Sequence, residues 1–569
     1  MKIRNLGSII IINFLYLSVY AQKPVVNEEI NITKDREVIL PKANRIIDKI
    51  PPVENEKREK KMTYSFFDRK PTAVEETKFV PNVVSPVTKK SSSQDKTGYK
   101  NYFKVGMGNF GRIYAETYIN SNQDKKFIYG ISGLHNSTKR GPIGAENSAT
   151  GLNKISVDGK YHQNNYELKL DMGYENRAYY FYGYDTVANR DYTQQDLKQR
   201  LNFFNVAATL ENTNPKPKVD YSLTTGLKNL SDYYEANELE WGTNFKSHFP
   251  LIDNKVTATL STEAYITERT DLIFETKNVR KRNLYRVEPG FKIDFGKISA
   301  KIGFKAVNEY EQIEKINNTK GFPTASITYK TPSLAYFFVG LDGDIIRNTL
   351  HSFIDENPFL AQAVDIKNTN KNQEYYIGSR AELYNGLSYN FKISYGKYQN
   401  LYYFNKGESN SYETPSGSFI NVTKFVAEYE DAKTDFANIS AEFGYSNFDH
   451  WKSNLKLDYN YYETTLKFSK PYHRPAFTSR WGNTFLLSEK LVSSLDVYYL
   501  AGIYARDIDL GGPVKLNDIV DVNAEMTYLF SKQFSAFVKL NNIVGQNYQR
   551  YYNYPQMGLN FVAGINVAL

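Results

Sequence analysis

The chain closes on PQMGLNFVAGINVAL, residues 555–569, and from Leu559 onward this stretch alternates. Leu559, Phe561, Ala563, Ile565, Val567 and Leu569 share one face of a strand. Asn560, Gly564, Asn566 and Ala568 share the other, with Val562 the one apolar intruder. A strand with one greasy face and one small or polar face suits a wall that has hydrocarbon outside and water or polar filling inside. The stretch therefore predicts the closing strand of a bacterial outer-membrane β-barrel.

Upstream the same pattern repeats from Tyr99. Val256, Ala258, Leu260, Ala264 and Ile266 alternate with Thr257, Thr259, Ser261, Glu263 and Thr267. Phe291, Ile293 and Phe295 alternate with Lys292 and Asp294. Gly296-Lys297 turns the chain, and Ile298, Ala300, Ile302, Phe304 and Ala306 then alternate with Ser299, Lys301, Gly303 and Lys305. Trp451, Leu455, Leu457, Tyr459 and Tyr461 oppose Lys452, Lys456 and Asp458, and Phe534, Ala536, Val538 and Leu540 oppose Ser535 and Lys539. A lysine facing lipid at the membrane midplane costs about 2–4 kcal/mol, so Lys292, Asp294, Lys301, Lys305, Lys452, Lys456, Asp458 and Lys539 are expected to line the lumen.

Connections sort by length. Tight ones at Asn214-Pro215-Lys216-Pro217, Asp253-Asn254, Gly296-Lys297, Asn385-Gly386, Ser488-Glu489-Lys490 and Ser531-Lys532 are expected to be periplasmic. Longer polar ones near 136–151, 184–199, 348–372, 405–418 and 506–517 are expected to be extracellular. The reading is an all-β, transmembrane antiparallel barrel over residues 99–569, built from strands of about ten residues, about 22 in number within a range of ~14 to ~24. The alternation of short and long connections slips between Tyr402 and Asp449, where a hairpin or a bent strand is misplaced.

The other end reads as export. Lys2 and Arg4, an apolar core from Ile9 to Tyr20, and small residues at Val19 and Ala21 predict a signal peptide over 1–21, cut before Gln22. Residues 22–98 hold Pro24, Pro41, Pro51, Pro52, Pro71, Pro81 and Pro86, the charged run Glu54 to Lys61 and Ser91-Ser92-Ser93. Such a composition predicts an extended or partly disordered periplasmic segment. The chain has no cysteine, which excludes a disulfide framework. After the leader no apolar run is long enough for a spanning helix. With 47 Tyr and 35 Phe, rings are abundant enough to furnish two interfacial girdles against outer-membrane lipid. The net charge of +9 suits anionic headgroups or solvated loops, and the compartment argues against nucleic acid as a partner.

Asn541-Asn542-Ile543, Tyr548, Tyr551-Tyr552, Tyr554-Pro555-Gln556-Met557-Gly558 and Phe561 resemble the last hairpin of TonB-dependent receptors. The region from Tyr99 resembles plugless or short receptor-like barrels of Bacteroidota, including the opening strand Tyr102 to Gly108, the Gly108-Asn109-Phe110-Gly111 turn and the Asn357-Pro358-Phe359 loop. The resemblance implies an outer-membrane barrel related to transport. Two departures are visible: Leu569 stands where assembly signals of such barrels end in Phe or Trp, and residues 22–98 are too few and too proline-rich for the folded plug that such receptors carry.

His135, His162, His248, His351, His450 and His473 show no metal-ligand spacing, and no nucleophile elbow or phosphate loop is present. No cofactor, metal or enzymatic activity is expected. Two functions compete: a passive or gated pore whose lining, leaning positive, favours small anionic or polar solutes, and an accessory subunit of a larger outer-membrane machine for protein assembly, secretion or nutrient capture. The second would dock a periplasmic or outer-membrane protein through residues 22–98.

Overall fold

The computed structural model describes residues 101–569, apart from 122–125, 184–193, 215–216, 253–254, 274–275, 333–334, 362, 384–385, 407–411, 414–418, 421–423, 431, 448–449, 465–466 and 508–511. The expected leader and the segment 22–98 lie outside the described residues, as do the turn residues Asp253, Asn254, Pro215, Lys216 and Asn385.

Strands follow one another around a single antiparallel sheet of 22. In order they are β1 (Asn101–Gly108), β2 (Arg112–Asn120), β3 (Phe127–Thr138), β4 (Thr150–His162), β5 (Tyr166–Tyr180), β6 (Lys198–Asn212), β7 (Asp220–Ser231) and β8 (Asn237–Ile252). Next come β9 (Val256–Ile273), β10 (Thr276–Phe295), β11 (Ile298–Glu311), β12 (Ile316–Lys330), β13 (Ala335–Ile346), β14 (Thr369–Glu382) and β15 (Leu387–Gln399). The wall ends with β16 (Thr434–Asn447), β17 (Trp451–Tyr462), β18 (Phe477–Ser488), β19 (Leu491–Ala501), β20 (Ile519–Leu529), β21 (Phe534–Asn541) and β22 (Asn560–Ala568).

The sheet closes on itself because β22 pairs with β1 from Tyr102↔Ala568 to Gly108↔Val562. Closure leaves this sheet without an exposed edge. The glycines Gly106 and Gly564 face each other across the seam, and Phe537 of β21 lies over both. A Cβ on Gly564 would stand 1.9 Å from the Val105 carbonyl oxygen, so only glycine fits there. Lys104 ties the same seam to β20 through a 2.6 Å ion pair with Glu525, its ammonium 4.1 Å from the Phe537 ring.

Side-chain alternation assigns the two faces. On β22 Phe561 and Ile565 are exposed, whereas Asn560, Val562 and Asn566 are buried. On β10 the exposed apolar residues run from Tyr285 through Val287 and Phe291 to Phe295, while Arg282, Leu284, Arg286 and Lys292 occupy the other face. An apolar exterior on a closed sheet is solvated by a bilayer, and the protein is an outer-membrane barrel.

Strands β8, β9 and β10 have 16, 18 and 20 residues, well beyond the expected ten. The apolar band of such barrels is only about 25 Å tall, so these strands rise above the membrane. The long connections lie at the end where β5 meets β6 and β13 meets β14, opposite the carboxyl terminus. The slip after Tyr402 has a simple cause. Tyr402–Lys406 and Phe425–Tyr429 pair with each other and with no strand of the wall, forming a small hairpin inside one long connection between β15 and β16.

Candidate functional site

A barrel of 22 strands spaced about 4.8 Å and tilted about 40° is roughly 40 Å across. The β5–β6, β13–β14 and β21–β22 connections leave the wall about a third of the circumference apart. Their side chains nevertheless touch. Phe359 stacks on Tyr554 at 3.7 Å, and Tyr182 meets Tyr554 edge-on at 5.1 Å. These connections therefore fold inward and meet over the axis.

Phe181, Tyr234, Phe353, Phe404, Phe425, Tyr551 and Tyr554 belong to the same buried apolar cluster, so the extracellular mouth is covered by an aromatic lid. Main-chain pairing joins its pieces. The Ala361 N–H donates to the Phe425 carbonyl at 2.7 Å, and the Phe425 N–H to the Phe359 carbonyl at 2.8 Å.

The centre of the lid is a short helix, α1 (Leu350–Glu356), whose start is legible in Thr349-x-x-Ser352, a reciprocal capping pair. The first part of α1 and Asp355 are held by two sectors of the wall, and its last residue by other connections. Glu238 at the start of β8 accepts the N–H groups of Leu350 at 2.9 Å and His351 at 3.2 Å. Arg177 of β5 pairs with Asp355 at 2.9 Å. Glu356 is buried with Arg474 of the β17–β18 connection at 3.9 Å and accepts the Tyr402 hydroxyl, while its carbonyl accepts the Tyr551 hydroxyl. Arg282 clasps both ends of the lid segment, donating to the Asn348 carbonyl at 3.0 Å and to Asn368 Oδ1 at 2.7 Å.

Burial shifts titratable groups of the lid, Lys424 and His473 among them. The Lys424 ammonium lies 4.2 Å from the rings of both Phe181 and Tyr234, and desolvation pulls it down to about 7 against the pull of Asp232. Desolvation likewise pulls His473 down to about 3. Its Nδ1 donates to the Phe404 carbonyl at 2.6 Å and its Nε2 accepts the Tyr552 N–H at 3.3 Å, which fixes the neutral tautomer.

A histidine held neutral contributes stability that is fully present above its unfolded value of about 6.5 and is lost as pH falls toward about 3. Hydrogen-exchange protection of lid amides, taken relative to the intrinsic exchange rate at each pH, is therefore expected to fall progressively below about pH 6.5, and His473→Gln to flatten that part of the profile. Identical profiles for the two proteins would show that His473 does not set it.

Below the lid the inner wall carries a ribbon of ion pairs from β9 to β15. Arg286 pairs with Glu263 and, at 2.8 Å, with Asp344. Lys305 reaches Asp342 at 3.1 Å and Asp344 at 3.3 Å. Lys371 bridges Asp342 at 2.8 Å and Glu374 at 3.0 Å, and Lys392 adds a 2.9 Å pair to Glu374. Register shifts in β13 between Asp342 and Asp344, and in β14 between Lys371 and Gln373, bend the wall where the ribbon meets the lid.

The residues expected in the lumen are spread over separate sectors. Lys292 pairs with Asp294 at 2.7 Å and stands opposite Lys301 in register, and Lys305 belongs to the ribbon. Lys456 lies 3.7 Å from Asp458, with Lys452 on the same strand. Lys539 is opposite Glu525 and 5.9 Å from the Tyr114 ring.

The C-terminal motif serves the lid. Asn541 donates to Asn560, and the Asn542 amide donates to the carbonyls of Gln546 and Met557, both at 2.8 Å. These contacts turn the connection inward, placing Tyr554 and Pro555 against Tyr182, with Gly558 leading back to β22 and Phe561 on the outer face. Sequence reading missed Glu238, Glu356 and Arg474, which lie in unrelated segments and meet the lid only in space. Among the described residues, no group of three or more His, Cys, Asp or Glu is placed to hold a metal.

The fold and its covered mouth define a class: large outer-membrane barrels built like receptors. Among solved structures, the chain is similar to the ferric-catecholate import receptor Fiu of E. coli K12, with a TM-score of 0.61 and 7% identity over 82% of this chain and 81% of that one. It is similar to the FrpB iron transporter of Neisseria meningitidis, with a TM-score of 0.62 and 9% identity over 82% and 81%. The pyoverdine receptor FpvA of Pseudomonas aeruginosa gives a TM-score of 0.62 and 10% identity over 83% and 78%. No family model matches the sequence, and no curated protein matches it. At these identities the likeness establishes the fold.

Proposed function

We propose that the protein is a gated transport barrel that works without a separately folded plug. Its extracellular lid opens to admit small polar solutes past the inner ion pairs and the lumen-lining set Lys292, Asp294, Lys301, Lys305, Lys452, Lys456, Asp458 and Lys539. The lid carries this reading: tying α1 to distant sectors of the wall makes a closed state that a few contacts can release. The proteins of like fold, described as a ferric-catecholate import receptor, an iron transporter and a pyoverdine receptor, support a transport role. A mixed-charge lining favours hydrated polar solutes over apolar ones. Residues 22–98 act in this scheme as a periplasmic-side occluder.

Planar bilayers test the proposal. The purified full chain is expected to give sparse, discrete openings rather than the steady current of an open porin. Silence at the level of empty-detergent controls, in the native protein and in lid variants alike, would sink it.

A further inference from the structure

A cleft of about 220 Å³ lies between the rims of β8 to β12 and the lid segment 365–367. Its floor carries three guanidinium groups. Arg280 stands directly opposite Arg269 in the β9–β10 register, and Arg282 lies two residues along the same face. Like charges so placed repel one another unless anions intervene.

Only part of that charge is matched. Arg269 pairs with Asp271 at 2.8 Å. Arg280 reaches Asp365 at 3.3 Å, a carboxylate that is half exposed, and its own Nε is buried with no hydrogen-bond partner among the described residues. Arg282 donates its hydrogen bonds to two neutral oxygens, those of Asn348 and Asn368, with the carboxylates of Glu238 and Glu309 near enough to offset part of its charge. The facing wall is acidic through Glu309, Glu311 and Glu314, of which Glu314 is paired with Lys367 at 2.7 Å, and the carboxylates of Glu309 and Glu311 would repel a multiply charged anion and attract a cationic group. The space amounts to about seven waters, the size of a small amino acid or dipeptide.

We infer that this cleft binds an amino-acid-sized zwitterion, its carboxylate on Arg280 and Arg282, and that binding loosens the lid. The second half rests on the gating proposal; the first does not. Arg282 holds both ends of the lid segment, and Arg269 donates to the Val364 carbonyl at 2.8 Å. A carboxylate accepts from a guanidinium about twice as strongly as a neutral oxygen does, so a bound ligand competes for the groups that hold the lid down. Ligand affinity and lid closure are then reciprocally opposed.

Calorimetry on the full chain in detergent tests binding, with L-glutamine, L-arginine and glycylglycine as probes and succinate and inorganic phosphate as anionic comparisons. Hydrogen exchange over 349–364 reads the lid. At least one zwitterion is expected to bind saturably and to speed lid exchange, with affinity reduced tenfold or more in Arg280→Gln and partly restored in Arg280→Lys. Both variants are expected to keep the native heat-modifiable mobility of the barrel, which reports that they are folded, and the effect of ligand on lid exchange is read against each variant's own unliganded rate. Absence of heat with all three zwitterions, unchanged affinity in Arg280→Gln, or tighter binding of succinate or phosphate overturns the site. Binding that leaves lid exchange unchanged overturns the coupling. Failure of lid variants to conduct would refute gating and leave the calorimetry standing.

Discussion

Glu356→Ala is expected to convert sparse openings in planar bilayers into long-lived ones and to raise hydrogen exchange across 349–364 by about a hundredfold. The carboxylate is the point at which three connections meet: Arg474, the Tyr402 hydroxyl and, through the neighbouring main chain, the Tyr551 hydroxyl. Arg474 is itself buried, donates to the Tyr402 carbonyl at 3.0 Å and lies over the Tyr402 ring. Deleting the carboxylate strands that guanidinium in an apolar surround, a change that typically costs about 3–5 kcal/mol. Each 1.4 kcal/mol is about tenfold in an equilibrium, which sets the expected hundredfold at the lower end. The wall makes none of these contacts, so heat-modifiable mobility of the barrel is expected to stay native. Unchanged conductance together with accelerated exchange would mean that the lid is not the barrier to ions.

The second large effect is expected from removing residues 23–97 in the Glu356→Ala protein. The wall closes without them: Asn101 and Leu569 exchange main-chain hydrogen bonds of 3.0 and 2.9 Å, and β1 pairs with β22 along its length. The truncated protein is therefore expected to insert and fold. With two barriers in series, the lid sets how often and how long the pore opens and the segment limits the current of each opening, so truncation alone, which leaves the lid closed, is expected to change the mean current little. Truncation combined with Glu356→Ala is expected to exceed either change by at least tenfold. If conductance in the double variant equals that of Glu356→Ala while co-purifying proteins disappear, the segment is a docking arm and the accessory-subunit reading takes over. If neither quantity changes, the segment is an inert linker.

The wall is legible in the sequence because its determinants are local. A period of two sorts Phe291, Ile293 and Phe295 from Lys292 and Asp294 whatever lies elsewhere in the chain. Gly296, at φ +59°, marks the turn between β10 and β11 by its own backbone requirement. The C-terminal tyrosines are legible as a pattern, but not as parts of a lid. Their partners, Tyr182 and Phe359, are hundreds of positions away and sit in segments with no periodicity. Tyr402–Lys406 and Phe425–Tyr429 are short aromatic and apolar runs with no period of two; their pairing with each other is a fact of three dimensions.

Sequence alone thus determined an outer-membrane barrel, its greasy and polar faces and which end bears the long connections, since each follows from residues adjacent along a strand. Tertiary structure alone decided that those connections cover the mouth, that Glu356 and Arg474 share a buried contact, and that three arginines line one cleft. Closure of the sheet brings distant segments around a common axis, and the free energy of their meeting is written in no single segment.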